Sequence, residues 1–550
     1  MVDEEIARQR TSRLCFIHRL PTETLEAIFV QRAHDYFREA TGRPIPTAPS
    51  WVNVSYVCRH WRNIALNCPT LWTYLFVTSP RWTEELLARS KQASLKLAAD
   101  LRDWYEKHQG SRSVEEVMNH SERIQDLRLH IPMGDYDVLS KLPSTLRAPR
   151  LEHLELSASL YHRVWYSGLV DGDTPALRTL RLTGHTASWY SLKLTGLTTL
   201  GLYNISPRFQ LGTKDFLATL CCMQDLKYLY LDQALTTSTG FLSSPEFHTL
   251  QKINLPHLSH LFIIAPLSTV IAFLSCINIP LRTEVRLGPD YGFGEDPSVL
   301  DNYDSLYSLL AQRYGMSQDQ AFSNLMVRSL VIKYSDSELY ECAKLNFRTS
   351  ERDCDSCPSV PCTEWDCAIR LQILLAFRQS TSDRNRLISR ICCSISLSNV
   401  RTLHVFDPPF SLTFWTDVLG QLPYLQRIKL SHGTMPDLAS VLSLTPRSST
   451  ENQDGQADRD QSQIFAPALE ELELHDISFS TAQQSGMCAF KADDIRALCD
   501  ALSTRKLPRG RLTMSRCIGH SEVYLPLETF DLEGCWGDGR FSVVSYRRIG

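Results

Sequence analysis

The chain has 550 residues, of which 43% are hydrophobic and 21% charged, with a formal net charge of -4. Such a length exceeds one ordinary core, so two or more domains or an extended repeat array are expected. The near-balanced charge supplies no basic field for nucleic acid or anionic lipid and suits protein partners.

Residues 1–19 run acidic and then basic with no apolar core, which predicts an N-terminal tail and no secretory signal. Without such a signal, an odd count of 17 cysteines predicts reduced thiols and a cytoplasmic or nuclear setting.

From Leu20 the periodicity becomes helical. Leu25, Ile28, Phe29, Ala33, Tyr36, Phe37 and Ala40 recur at helical steps and predict one apolar stripe, opened by Pro21 and Glu23 and followed by Gly42. A second helix is expected from Ser50 as N-cap, with Trp51, Val54, Val57, Cys58, Trp61, Ile64 and Ala65 on one face, stopped by Pro69. Leu71, Trp72, Leu75 and Phe76 add a further apolar cluster. So few helical residues cannot bury all this surface among themselves, so part of it should face a partner or the rest of the chain.

Three blocks in order carry a resemblance: Leu20-Pro21-x-Glu23-x-Leu25-x-x-Ile28-Phe29, then Val54-Ser55-x-Val57-Cys58-Arg59-x-Trp61-Arg62-x-Ile64-Ala65, then Pro69-x-Leu71-Trp72. Together they resemble the F-box of fungal F-box proteins, with a longer break from Arg38 to Ser50 than the compact F-box has. The resemblance implies an all-α F-box-like domain over residues 20–76. It would dock on the Skp-type adaptor of a Skp–cullin–F-box ubiquitin ligase, while the remaining chain holds a substrate. Carried over as adaptor-binding are Leu20, Pro21, Leu25, Ile28, Phe29, Val54, Val57, Cys58, Trp61, Leu71 and Trp72. Some of these must instead hold the module together, and Trp61 is the one most expected to point inward.

Residues 77–123 read as a linker or N-terminal cap, and residues 124–550 as an array. Leu-x-x-Leu-x-Leu, or a close apolar variant, begins at Ile124, Leu151, Leu177, Leu197, Leu226, Leu258, Val327, Val400, Leu425 and Leu469. The first six starts lie 27, 26, 20, 29 and 32 residues apart, close to the leucine-rich-repeat period of roughly 20–29. Helix-like stretches at Lys214–Cys222, Thr269–Ile277, Trp415–Leu422 and Ala492–Leu502 alternate with these segments. The expected fold is therefore α/β overall, a small helical domain followed by a degenerate leucine-rich-repeat-like solenoid or horseshoe. Ser159, His185, Ile205, Ala234 and Ile477 stand where such repeats place Asn or Cys, so irregular turns are expected.

Leu261 to Leu281 holds no Lys, Arg, Asp or Glu and is long enough to span a bilayer, but Pro266, Asn278 and Pro280 within it favour a buried strand–loop–helix unit. Irregular insertions are expected at 287–326, with a helix around Leu306–Arg313, and at 334–398. The second carries Cys354, Cys357, Cys362 and Cys367, whose spacing could close a tetrahedral zinc site. Pro358 and Pro361 stand where a zinc knuckle needs glycines, so free thiols and no cofactor are the favoured reading. Residues 446–463 contain almost no apolar side chain and predict a disordered loop.

No nucleophile elbow, zinc-protease helix, Walker loop or dinucleotide fingerprint occurs, which argues against an enzyme. Strand alternation turns the residue between the second and third leucines away from the core. Arg128, Glu155, Arg181, Gly201, Tyr230, Phe262, Val331, His404, Lys429 and Glu473 are thus a candidate substrate face, its mixed charge suiting a protein rather than a polyanion. The resulting reading is a non-catalytic substrate receptor of a ubiquitin ligase, with no nucleic acid and no membrane. Alternatives are a repeat scaffold not engaged with a cullin, and a zinc-containing regulatory protein.

Overall fold

A computed structural model describes residues 17, 20–40, 50–76, 80–100, 109–131, 147–158, 174–184, 195–206, 210–237, 247, 252–290, 303–315, 327–337, 340–349, 369–377, 381–406, 410–431, 436–443, 466–475, 511–515, 531–533 and 544–547. The chain divides into two compact units, Met1–Ser238 with Ile253–Leu258, and Thr239–Lys252 with Ser259–Gly550. Cys354, Cys357, Cys362, Cys367, the 446–463 stretch and Ala492–Leu502 lie outside the described residues.

The first unit opens with helix Thr22–Ala40, which buries Leu25, Phe29, Ala33 and Phe37 and exposes Ile28, so the buried stripe is a single i+4 row narrower than the periodicity predicts. The expected second helix is two elements. Ser50–Tyr56 forms a 3₁₀ helix that buries Trp51, Val52 and Ser55, and an α-helix follows at Arg59–Asn67. Between them Cys58 is extended and caps the second helix, its Sγ accepting the Trp61 N–H at 3.4 Å. The tighter 3₁₀ turn changes the period, which is why one continuous 3.6-residue stripe does not survive.

A parallel sheet then runs through β1 (Tyr74–Phe76), β2 (Leu95–Asp100), β3 (Ile124–Ile131), β4 (His153–Ala158), β5 (Thr179–Thr183) and β6 (Thr199–Tyr203). The short strand β7 (Leu211–Gly212) precedes helix Thr213–Leu220, β8 (Tyr228–Asp232) pairs with β6, and β9 (Leu235–Thr236) pairs with β7. Register places Leu75, Leu97, Leu127, Leu154, Leu180, Leu200 and Leu229 in one row across seven strands, each at most 1% exposed. Full burial of a leucine contributes roughly 1.5–3 kcal/mol, so this row is a main source of cohesion in the unit. Its first rung, Leu75, belongs to the N-terminal module, and helices Pro80–Ser90 and Gln109–Met118 pack on each other within the β1–β3 connections.

The turns after β5, β6 and β8 correct the expectation of irregularity. Gly184, Asn204 and Gln233 each take a left-handed backbone, with φ of 72°, 49° and 50°. That conformation aims backbone groups at the next turn. The Gly184 N–H donates to the Tyr203 carbonyl at 2.8 Å, and the Asn204 and Ile205 N–H groups donate to the Asp232 and Gln233 carbonyls at 2.7 and 3.1 Å. The Gln210 amide adds donors to the carbonyls of Ile205 and Gln233 at 3.3 and 3.0 Å. The turns are therefore satisfied by backbone and one distant glutamine instead of a side-chain ladder.

The short strand β10 (Ile253–Asn254) ends the first unit. In the second, β11 (His260–Pro266) runs directly into helix Leu267–Cys276, without the expected loop, and β12 (Ile277–Asn278) follows. Among the described residues no helix is long and apolar enough to cross a membrane. β13 (Glu284–Asp290) pairs parallel with β11 and with β16 (Ile369–Phe377), and helix Tyr303–Tyr314 covers the one expected near Leu306. β14 (Ser329–Ser337), β15 (Tyr340–Arg348) and β16 pair antiparallel.

Thus part of the span 334–398, read as irregular, is regular sheet. Ala343, Leu345 and Phe347 alternate inward on β15, as do Leu371, Ile373 and Leu375 on β16, but neither strand carries the Leu-x-x-Leu-x-Leu spacing. From β14 the pairing returns to parallel through β17 (Thr402–Phe406), β18 (Arg427–Ser431), β19 (Glu471–His475) and β20 (Arg511–Ser515). β21 (Asp531–Glu533) and β22 (Val544–Arg547) close it antiparallel. Helix Leu412–Gly420 occupies the place expected at Trp415–Leu422. All ten Leu-x-x-Leu-x-Leu segments put their second and third apolar residues on a strand.

Candidate functional site

Two surfaces concentrate the sequence-predicted residues. The first is the N-terminal module. The break between Arg38 and Ser50 does not separate its blocks, since Phe29 meets Trp61 at a ring distance of 4.9 Å, Phe37 meets Tyr74 at 5.7 Å and Trp51 meets Trp72 edge-on at 5.6 Å. Trp72 also donates its Nε1–H to the Ala65 carbonyl at 2.7 Å, tying the end of the module to its second α-helix. A buried indole thus keeps both its apolar area and its donor satisfied.

Within the proposed adaptor set the structure separates core from surface. Leu25, Phe29, Leu71 and Trp72 are buried. Leu20, Val54, Cys58 and Trp61 are half-buried, so Trp61 is less inward than expected, and Trp51 and Trp72 are the fully enclosed tryptophans of this module. Pro21, Ile28 and Val57 face solvent, the latter two 44% and 60% exposed. The sequence pattern did not single out Tyr56 and Leu66, 65% and 42% exposed; the only signal would have been their position off the apolar stripe. Four of the seven large apolar side chains that are exposed among the described residues therefore lie in this one small module. Arg62 lies over the Tyr56 ring at 5.5 Å and donates to the Ser55 carbonyl at 3.0 Å, holding that tyrosine beside a cation.

The second surface is the non-leucine face of the first unit's sheet. Register aligns Arg128, Glu155, Arg181, Gly201 and Tyr230 on β3, β4, β5, β6 and β8, five of the residues that alternation selected. Two residues earlier on the same strands, Asp126, His153, Thr179, Thr199 and Tyr228 form a parallel row that the sequence pattern left out, although the same period-two argument includes it. A cleft of about 180 Å³ opens between the rows, lined chiefly by Arg128, His153, Glu155, Thr179, Arg181 and Thr199.

The Arg128 guanidinium grips both Asp126 carboxylate oxygens at 2.9 and 2.8 Å, a bidentate pair. His153 is exposed, and partial desolvation by its neighbours still holds its imidazole below the ordinary pKa against the opposing pull of Asp126, which favours the neutral form near pH 7. Gly201 leaves room for the Tyr203 ring, which would meet an added Cβ at 2.7 Å. That ring stacks on Tyr230 at 6.4 Å, and desolvation raises its phenol to about 12. His130 and Ser157, one row further, hydrogen-bond to each other.

In the second unit Phe262 aligns with Arg286 and Gln372, and Val331 with His404, Lys429 and Glu473. Phe262, Lys429 and Glu473 are half-buried, whereas Val331 and His404 are buried, His404 bonded to Ser431 Oγ at 3.0 Å and against the Phe406 ring. Arg286, also buried, is paired with Glu284 at 2.8 Å, and Gln372 donates to Asn346 at 2.6 Å. These polar residues escaped notice because their strands lack the leucine spacing. Among the described residues no group of three or more His, Cys, Asp or Glu could hold a metal.

Comparison with known families matches residues 17–78 to a family described as F-box-like. No curated protein matches the chain. An F-box-like domain therefore occupies the N-terminal module, whose helices, exposed apolar residues and closing strand β1 all fall inside the matched span. Modules of this kind are typically non-catalytic and generally bind Skp-type adaptors.

Proposed function

We propose that this chain is a substrate-recognition subunit of a Skp–cullin–F-box type ubiquitin ligase. The F-box-like module docks on a Skp-type adaptor and through it on a cullin, and the sheet that follows binds a protein substrate. The observation that carries the reading is the concentration of exposed Ile28, Tyr56, Val57 and Leu66 in a module whose own core is already complete. Apolar side chains that the fold leaves outside mark a surface awaiting a partner.

The downstream sheet reads as a degenerate leucine-rich-repeat solenoid, supported by ten matching segments on strands and by the in-register leucine row. Holding a substrate beside the ligase promotes transfer by raising effective concentration, with no catalytic group needed on this chain. A cytoplasmic or nuclear location follows from this role.

A second reading has its own observation in favour. β1 is part of the module and also the first strand of the sheet, as a capping element would be. In that reading the helices only protect the end of a scaffold. Co-purification of full-length protein with a Skp-type adaptor decides between them: Ile28→Asp with Val57→Asp should abolish association while leaving folding intact. Failure of correctly folded wild type to associate would eliminate the ligase role.

A further inference from the structure

The cleft over β3–β6 contains two kinds of charge. Arg128 and Asp126 satisfy each other bidentately, and Arg128 is further engaged by the Phe37 ring at 5.0 Å. Glu155 and Arg181, by contrast, carry no hydrogen bond or ion pair among the described residues, though they are register partners on adjacent strands and both line the cleft. One acid and one base thus stand side by side, neither hydrogen-bonded nor ion-paired among the described residues, with Glu155 acting on Arg128 only through its field. The Thr179 and Thr199 hydroxyls and a neutral imidazole at His153 complete a lining able to donate and accept.

The charge inventory selects an occupant. Arg128 and Arg181 are balanced by Asp126 and Glu155, so a polyanion or a phosphorylated segment would meet as much repulsion as attraction. An apolar segment would strand both open charges. Adjacent strands lie about 4.8 Å apart, and opposite charges one helical turn apart on a peptide have Cβ atoms about 5–6 Å apart. The two spacings match.

We propose that this cleft anchors a mixed-charge helical segment of the protein substrate, whose carboxylate pairs with Arg181 and whose ammonium or guanidinium, one turn away, pairs with Glu155. The proposal rests on the reading that this sheet face holds a protein substrate, and it names the chemistry that face selects. Tyr203 and Tyr230, stacked beside the cleft, supply the aromatic contact that flanks such an anchor.

The test uses full-length protein and labelled alanine-rich helical peptides carrying Glu-x3-Lys, Glu-x3-Glu, Lys-x3-Lys, Gln-x3-Gln or two phosphoserines at the same spacing. Fluorescence anisotropy should rank Glu-x3-Lys first, by about tenfold over Gln-x3-Gln, the effect of a charge-assisted contact. Glu155→Gln and Arg181→Gln, neither position being buried, should each erase that preference with an unchanged circular dichroism spectrum. A phosphoserine or like-charged peptide in first place, no preference in wild type, or a preference that persists in both variants would overturn the proposal. Association with the Skp-type adaptor is measured separately, so loss of this anchor and loss of the ligase reading give different results.

Discussion

The Arg128 guanidinium lies 5.0 Å from the centre of the Phe37 ring, joining a strand of the sheet to the last turns of the first F-box-like helix. Phe37 is 2% exposed and also meets Tyr74, whose strand partner is Lys96 and whose ring that lysine approaches at 4.9 Å. Two cations thus face two aromatic rings at the junction between the module and the sheet. The F-box-like domain is consequently built into the sheet edge rather than suspended from it.

Truncating Phe37 to Ala should destabilise the first unit by about 3–5 kcal/mol, the range for a buried aromatic. A double-mutant cycle of Phe37→Leu with Arg128→Gln should leave a coupling of about 0.5–1 kcal/mol from the ring–guanidinium contact. Urea denaturation of the four proteins measures it; additive losses would mean the contact contributes nothing.

Core and docking residues of the module should separate experimentally. Trp72→Phe leaves the Ala65 carbonyl only its longer bond from the Cys68 N–H at 3.3 Å and should lower stability by about 1 kcal/mol, the net worth of one hydrogen bond. Ile28→Asp and Val57→Asp should stay within about 0.5 kcal/mol of wild type, as surface substitutions usually do. Thermal melts alongside adaptor pull-downs distinguish the two classes.

Turn geometry gives opposite signs at neighbouring positions. Gln233 holds a left-handed backbone that disfavours a side chain, so Gln233→Gly should raise stability by about 0.5–1 kcal/mol. Gln210→Ala removes two donors from turn carbonyls and should lower it by about 1–2 kcal/mol. Shifts in the urea midpoint report both.

Tyr203 predicts an alkaline limit. Below its ordinary pKa of 10.0 the phenol is protonated folded or unfolded; above it the unfolded chain releases the proton while burial holds the folded value at about 12. Stability that is fully present below pH 10 is therefore lost as pH rises through about 12. Tyr203→Phe should flatten the fall in urea midpoint between pH 10 and 12, and an equally steep profile in the variant would rule out this source.

Much of the fold was legible from spacing. Leucines at fixed separations found all ten strands they were used to find, because period-two alternation needs only local chain geometry. The same argument found Arg128, Glu155 and Arg181, but it passed over Asp126, His153 and Thr199 because they sit on the strand ahead of the second leucine. β15 and β16 were missed since antiparallel strands there alternate without the leucine signature.

By itself, then, the sequence determined the helical module, the strand positions and the face on which each strand residue lies, all consequences of periodicity along the backbone. Tertiary structure decided what periodicity cannot express. It placed Phe29 inside and Ile28 outside, although both belong to one predicted apolar stripe, and likewise Trp51 inside and Val57 outside in the second, because burial depends on which neighbouring element arrives to cover a side chain. It also paired Arg128 with Asp126 two residues earlier on its own strand, and left Glu155 and Arg181 without a hydrogen bond or ion pair among the described residues, although register sets them side by side on strands more than twenty residues apart in the chain.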